Sequence, residues 1–597
     1  MTTAEKLQKI REFMKDDNVS VYIVTSSDYH DSEYAGEYFE TRKYLSGFTG
    51  SAGTLIIGKD KAGLFTDGRY FIQAEKELKG SGIDLMPMGL AGTPSVIEYV
   101  TQLCEAENYI AVDTRTVSAK DGVQYNEVAL KKGKRNVIHR DYVKEIWKDR
   151  PGMSTEPAFE LDVKYAGESR RDKLQRVRKY MKEVGANGHI LTTLDDIAWL
   201  LNIRGNDIAY NPFVLAYFYM DCNNGYLFAD VNKFSNELID SLGRDMVRVL
   251  HYELFEEFVN KLSSNKSLLY DYGRINYATY LAMNKECAKV EKENPEILMK
   301  AVKNSVECEN ERKAHIMDGV AVTKFIYWLK HNTGSKTITE IDAADYLEEM
   351  RKKNASYIEP SFSTISAYNA NAAMMHYNPY VSGGEILGND GVLLVDSGGQ
   401  YYEGTTDVTR TICLGDVSHE IKTHYTAVLR GMLNLSDAHF LKGCIGMNLD
   451  ILARGPLWEM GLDYRCGTGH GVGYLSGVHE APNGFRWKKV PERDDGCVLE
   501  PGMITTNEPG VYIEGSHGIR IENELLTVTD KINEYGEFLK FETLTVVPVE
   551  MDLVDLNQME PAEILRLKKY QKKVYDTISS YLEKEEKEWL FEVCCNI

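Results

Sequence analysis

Residues 391–415 read GVLLVDSGGQYYEGTTDVTRTICLG. The apolar run Val392–Val395 predicts a buried strand. Ser397-Gly398-Gly399 breaks it, and β-branched residues resume a second strand around Thr405. Asp396 ends the first strand and Asp407 lies inside the second. Paired as a hairpin, the two strands turn both carboxylates toward one pocket. Unpaired buried ions cost several kcal/mol each, and a metal ion offsets that cost most directly. Alone, the pair also fits a solvated hairpin with two surface aspartates, so it needs partners.

Partners stand downstream. His470 lies in GTGHGVG, where small residues leave room around one imidazole. Glu508 lies in TTNEPGVY, where Pro509-Gly510 stops regular structure, and Glu522 lies in the alternating stretch GIRIENELL. Four carboxylates and one histidine suit hard or borderline divalent ions, Mn²⁺ above all, rather than a sulfur-rich structural zinc site. So many carboxylates suit two ions, because two of them can bridge.

The ordered set DSG, TTDVTRT, GTGHGVG, NEPGVY and IRIEN resembles the metal site of the pita-bread metallopeptidases, most closely the long, three-domain Xaa-Pro aminopeptidases. The resemblance implies that Asp396 is a terminal ligand, that Asp407 and Glu522 bridge both ions, and that His470 and Glu508 complete the second. It implies hydrolysis of the N-terminal Xaa-Pro bond by a metal-bridging hydroxide, with Glu508 also handling the proton. His376, in MMHYNP, and His479, in GVHEAP, match histidines that line the cleft and contact substrate or intermediate. Arg520 matches an arginine that orients a ligand carboxylate, and strand alternation puts it on the face of Glu522. Here the pattern HGTGHG reads CGTGHG. Cys466 therefore replaces a polar contact at the proline side of the cleft, or serves as a small hydrophobe.

At 597 residues the chain exceeds one core. Its 43% hydrophobic and 27% charged content is that of a soluble globular protein. A net charge of −21 argues against a nucleic-acid groove or an anionic membrane partner. The N-terminal stretch lacks a signal-peptide core, and ten cysteines without a C-x-x-C pair fit free thiols in a reducing cytosol. Together these predict a cytoplasmic protein, and the resemblance adds a homodimer acting on peptides with proline second.

The expected fold is mixed α/β and α+β: two creatinase/prolidase-type domains, residues 1–155 and 156–305, then a pita-bread catalytic domain with a C-terminal extension, 306–597. Long helices are predicted over Ala314–Lys330 and Glu340–Lys353, the latter with a Thr-x-x-Asp start, and a last helix over 561–590. Arg204 and Asp207 are either surface charges or, by the resemblance, part of a loop near the substrate channel. No H-E-x-x-H zinc motif occurs, GTGHGVG fails as a dinucleotide fingerprint, and the glycines of SGFTGSAG read as tight turns. Metal-free pita-bread binding modules and creatinase-like hydrolases lack the five ligands. A prolidase-like Xaa-Pro dipeptidase keeps them and stays the alternative, although the long N-terminal half favours the aminopeptidase.

Overall fold

The computed structural model describes residues 1–490 and 496–597. They form two compact units, Met1–Leu161 with Glu168–Glu296, and Ile297–Ile597 with Asp162–Gly167.

The first unit contains two six-stranded sheets of one topology. Across the first, neighbours are Asp84–Pro87, Ala62–Thr66, Thr54–Gly58, Val19–Thr25, Tyr109–Val112 and Ile138–His139. Across the second they are Val247–His251, Gly225–Ala229, Ala216–Asp221, Gly188–Leu191, Ser267–Tyr270 and Ala288–Glu291. In each, the earliest strand is central, antiparallel to the next strand of its own sheet and parallel to its other neighbour, and the outermost pairs are parallel. Alternation along Val19–Thr25 shows why both faces need cover. Tyr22 and Val24 join a cluster with Leu7, Ile10 and Met14 of helix Thr3–Asp16. Val21 and Ile23 point the other way, to Tyr99 and Val100 of helix Val96–Leu103. A strand covered on both faces reads as a continuous apolar run, and VSVYIVT does.

The second unit opens with the 28-residue helix Ser305–Asn332, whose Asn304 cap and Glu307 form a reciprocal capping box. Helix Glu340–Lys352 follows, capped by Thr339 and Asp342 as the Thr-x-x-Asp pattern predicts. Val322, Phe325, Ile326 and Leu329 of the long helix pack on Leu393, Val395, Val408 and Ile412. This covers a three-stranded antiparallel sheet, Ile365–Tyr368, Val392–Ser397 and Val408–Cys413. A six-stranded sheet runs His439–Leu441, Gly536–Thr543, Asn523–Asn533, Ile504–Asn507, Gly469–Gly471 and Glu480–Phe485. Helices His419–Ser436 and Pro561–Ile578 supply Tyr425, Val428, Met432, Leu567, Tyr570 and Val574 to a further cluster with Val511, Ile519 and Ile521.

Three expectations change in detail. Asp407 is not inside a strand. After Ser397 the chain leaves the sheet, and Gly399–Tyr401 and Gly404–Thr405 pair in another sheet with Tyr357–Pro360 before Val408 returns. The register Ser397 to Val408 and Asp396 to Thr409 still brings Asp396 and Asp407 to one end of the pair. GIRIENELL is two strands. His517–Arg520 pairs with Gly510–Ile513, Asn523–Asn533 with the six-stranded sheet, and Ile521-Glu522 switches between them. The last helix is also two, Pro561–Ile578 and Lys584–Cys595, because Glu583 and Glu586 start a new capping box after a short 3-10 turn.

The excursion after Asp396 closes on itself so tightly that Gly398 is obligatory: a Cβ there would lie 1.8 Å from the Thr406 carbonyl oxygen and 2.2 Å from Ser361 Oγ. Backbone cannot yield as a side chain does, so Gly398→Ala is expected to destabilise the protein by roughly 3 kcal/mol, the upper range for overpacking. Gly152→Ala, where a Cβ meets nothing within 4 Å, is the control. Denaturant melts of the two variants check this, and equal stabilities would refute the close approach.

Candidate metal centre

The polar ends of these strands converge. His470 Nε2 lies 3.5 Å from Asp407 Oδ2 and 3.5 Å from Glu508 Oε1. Asp407, His470 and Glu522 each offer a ligand atom, all within 4.8 Å of one another. His470 Nδ1 donates to the Gly471 carbonyl at 2.9 Å, which turns Nε2 toward the carboxylate oxygens. Facing acceptors of this kind are satisfied by protons or by a cation between them.

Each of these side chains is oriented by a neighbour. Arg520 Nη2 donates to Asp396 Oδ2 at 2.5 Å, and its Nε donates to Thr409 Oγ1 at 3.2 Å. Thr409 in turn donates its hydroxyl to Glu522 Oε2 at 2.6 Å. One guanidinium thus reaches two of the carboxylates, one directly and one through a hydroxyl. The Asp407 N–H donates to Glu524 Oε1 at 2.7 Å. Thr506 joins the remaining two: its Oγ1 accepts from the His470 N–H at 3.0 Å and donates to Glu508 Oε1 at 3.3 Å. The backbone stitches the sheets together as well, since the Glu522 N–H donates to the Thr409 carbonyl at 3.1 Å.

Burial, then the charges of Asp396 and Glu508, hold the Asp407 carboxyl well above the usual carboxylate range. Burial, then Asp407 and Asp396, do the same to Glu522. Asp396 Oδ1 is buried with no hydrogen-bond partner. An orphaned carboxylate oxygen, two carboxyls disfavoured as anions and an imidazole Nε2 turned toward them all fit divalent cations, and an oxygen-rich set with one imidazole fits hard or borderline ions.

The structure places the other predicted residues as follows. The His479 ring meets the His470 ring edge-on, centroids 4.2 Å apart. His376 is half-buried and follows Met375, whose carbonyl accepts from Arg520 Nη2 at 3.3 Å. Cys466 is half-buried against the cluster that includes Leu457, Tyr464 and Val511. Burial, then the Glu508 charge, push its thiol up to about 11, so it stays protonated at neutral pH, like a small apolar side chain. Arg204 and Asp207 are not surface charges. Both are buried in the first unit, where Asp207 accepts from Lys233 Nζ at 2.6 Å and Arg204 Nη1 donates to the Ala198 carbonyl at 2.7 Å.

Sequence reasoning missed Thr409, Tyr512 and Glu524. Thr409 and Glu524 each stand two residues after a candidate ligand, so strand alternation could have found them. Tyr512, whose hydroxyl accepts from Arg520 Nη1 at 2.7 Å, carries no such signal.

Residues 309–529 match metallopeptidase family M24, and 537–597 match the C-terminal region of that peptidase. Residues 6–138 and 149–307 each match the Creatinase/Prolidase N-terminal domain. A "Probable Xaa-Pro aminopeptidase P" of Tuber melanosporum is 37% identical over 605 residues, covering 98% of this chain and 97% of its own. The Xaa-Pro aminopeptidase 1 of Dictyostelium discoideum is 37% identical over 97% of this chain and 94% of its own. Among solved structures, the X-prolyl aminopeptidase of Caenorhabditis elegans, a cytosolic enzyme with a di-nuclear active site, superposes with a TM-score of 0.94 at 33% identity, covering 100% of this chain and 99% of that one. A Xaa-Pro dipeptidase from Bacillus anthracis shares the fold over 65% of this chain, with a TM-score of 0.51 and 22% identity. Fold and site together define a metallopeptidase. The chain belongs to metallopeptidase family M24, among its long Xaa-Pro aminopeptidases. No helix of the described residues is long and apolar enough to cross a membrane.

The raised carboxyls make the fold's stability depend on metal and pH together. Asp407 and Glu522 sit above their unfolded values, so their contribution is fully present below the unfolded carboxylate range near ~4 and is lost as pH rises through the raised folded values. Bound cations cancel that loss. The melting temperature of the chelated protein should therefore fall increasingly below that of the metal-loaded protein between about pH 5 and 8. A gap that narrows with pH would remove these two carboxyls from the metal set.

Proposed function

We propose that the protein is a Xaa-Pro aminopeptidase that removes the first residue of peptides with proline second, using two divalent ions, most simply Mn²⁺. One observation carries this: Asp407, Glu508 and Glu522 gather about Nε2 of His470, with the charge of Asp396 acting on Asp407, in a chain that is like Xaa-Pro aminopeptidases over its whole length. That full-length likeness favours this reading over a Xaa-Pro dipeptidase. The division 1–155, 156–305 and 306–597 belongs to the proposal, supported by family matches that end at 138 and 307. So do a cytosolic location, which the Caenorhabditis elegans enzyme supports, and the homodimer implied by the family resemblance.

In this reading Asp396, Asp407, His470, Glu508 and Glu522 would hold the ions, with Asp407 and Glu522 shared between them and His470 and Glu508 completing the second. When bound, such a pair supplies an acidified water and a polarised scissile carbonyl. The chain's own residues do the rest. Arg520 and Thr409 hold Asp396 and Glu522 in fixed directions, so the ligand set is preorganised. The scissile nitrogen belongs to proline and carries no hydrogen, so it must gain a proton to leave. Glu508 is among the more exposed of the five carboxylate and imidazole groups, with 21% of its side chain accessible, and can take a proton from water and deliver it there. His479 and His376 face the developing charge, and Cys466 contributes a small wall on the proline side.

The test compares a Xaa-Pro-Yaa tripeptide, its Xaa-Ala-Yaa analogue and a Xaa-Pro dipeptide, using chelated and Mn²⁺-reloaded protein. Only the first is expected to be turned over well, and only after reloading. Comparable rates on the alanine peptide would leave a general aminopeptidase, and preference for the dipeptide would leave a dipeptidase. For His479→Ala we expect kcat to drop ~10²–10³-fold, the usual loss for one charge-stabilising donor, with metal content unchanged. Metal analysis beside kinetics checks it, because loss of an ion would make His479 a ligand.

A further inference from the structure

The segment that carries His376 is tied down on both sides of that residue. Before it, the Met375 carbonyl accepts from Arg520 Nη2 at 3.3 Å, the nitrogen that also holds Asp396. After it, the Tyr377 hydroxyl donates to Glu340 Oε2 at 2.7 Å. Glu340 is the first residue of helix Glu340–Lys352, and none of it is accessible to solvent. Its carboxylate takes three more donors. The Tyr368 N–H and Asn371 Nδ2 reach Oε1 at 2.6 and 3.0 Å, and the Glu385 N–H reaches Oε2 at 2.8 Å. All four donors are neutral, and three come from the stretch 368–377. Asn371 Nδ2 also donates to the Tyr377 oxygen at 3.2 Å, closing the network.

A buried carboxylate is tolerable only while its lone pairs stay occupied. Releasing any of these donors would strand a charged oxygen away from water, so the anion enforces the loop's shape more strictly than apolar contacts could. The loop needs that enforcement: Asn369 sits at φ +46°, a left-handed conformation, and the rest of 369–373 is a short 3-10 turn.

We propose that Glu340 is a positioning residue for His376: together with Arg520, whose Nη2 also holds Asp396, it fixes the residues on both sides of the histidine and so the place from which its imidazole acts. This rests on the reading that His376 acts on substrate. No role in binding metal is assigned to Glu340.

Glutamine cannot replace it. The amide has nearly the same shape but one acceptor oxygen, and its NH₂ would face two donors. At Oε1 that NH₂ meets the Tyr368 N–H, and at Oε2 the Glu385 N–H, so either orientation sets donor against donor. In Glu340→Gln the loop should loosen, kcat should fall about tenfold, and KM should move by less than about threefold, with the metal content of the purified enzyme unchanged. The decisive readout is coupling. In a His376→Ala background the same substitution should cost less than about twofold, because the residue it positions is gone. Tyr377→Phe removes a single donor and should show the same dependence on His376 with a smaller loss, and it serves as the test if Glu340→Gln does not fold. Equal fold losses with and without His376, or loss of metal in either variant, would overturn the positioning role alone. Unchanged kcat in His376→Ala would overturn the reading of His376 and this inference with it.

Discussion

Asp407 and Glu522 are buried beside one another with two further carboxylates in range, and this repulsion is the constraint to which the second unit answers. No arrangement of neutral donors removes it. Arg520 brings a cationic side chain to these carboxylates, spent on Asp396 and, through Thr409, on Glu522. Arg520 is itself fully enclosed, and a guanidinium so placed retains its charge. It lowers the net charge of the site by one and leaves the remainder for bound cations. The cost of assembling the carboxylates is thus met partly by covalent structure and partly by ligand, which is how metal affinity and fold stability become linked.

Much of this was legible. Apolar runs at 392–395 and 19–25 became strands, the Thr339 cap appeared where Thr-x-x-Asp stood, and Asp407, His470, Glu508 and Glu522 lie close together. The departures have a common cause. Periodicity reports whether a residue lies on a strand-like face, but not which sheet the strand belongs to. Asp407 and Glu522 looked like interior strand residues because apolar and polar positions alternate around them. The chain in fact changes sheets at both places, and only long-range pairing decides that. Arg204 and Asp207 show the same limit for charge: a sequence cannot show that Lys233 waits to receive Asp207. The Glu340 network was illegible for the same reason, since its donors span 368–385 and nothing local marks a glutamate as their acceptor.

Those sheet changes are what the metal site requires. Along a continuous strand, successive side chains on one face are about 6.6 Å apart and point the same way. Ligands drawn from one unbroken strand therefore cannot converge on a point. Here Asp407 precedes Val408–Cys413, Glu508 follows Ile504–Asn507, Glu522 lies between His517–Arg520 and Asn523–Asn533, and His470 sits where the register of its strand shifts. Each break frees a side chain from the pleat and lets it turn toward the centre. The glycines and prolines flanking these motifs follow from the same need, because a chain that changes sheets must bend sharply and run close to other backbone, as at Gly398. Apart from the first, whose Asp396 stays within Val392–Ser397, the short motifs that mark the family are thus the positions where regular β-structure had to be abandoned for these polar groups to meet.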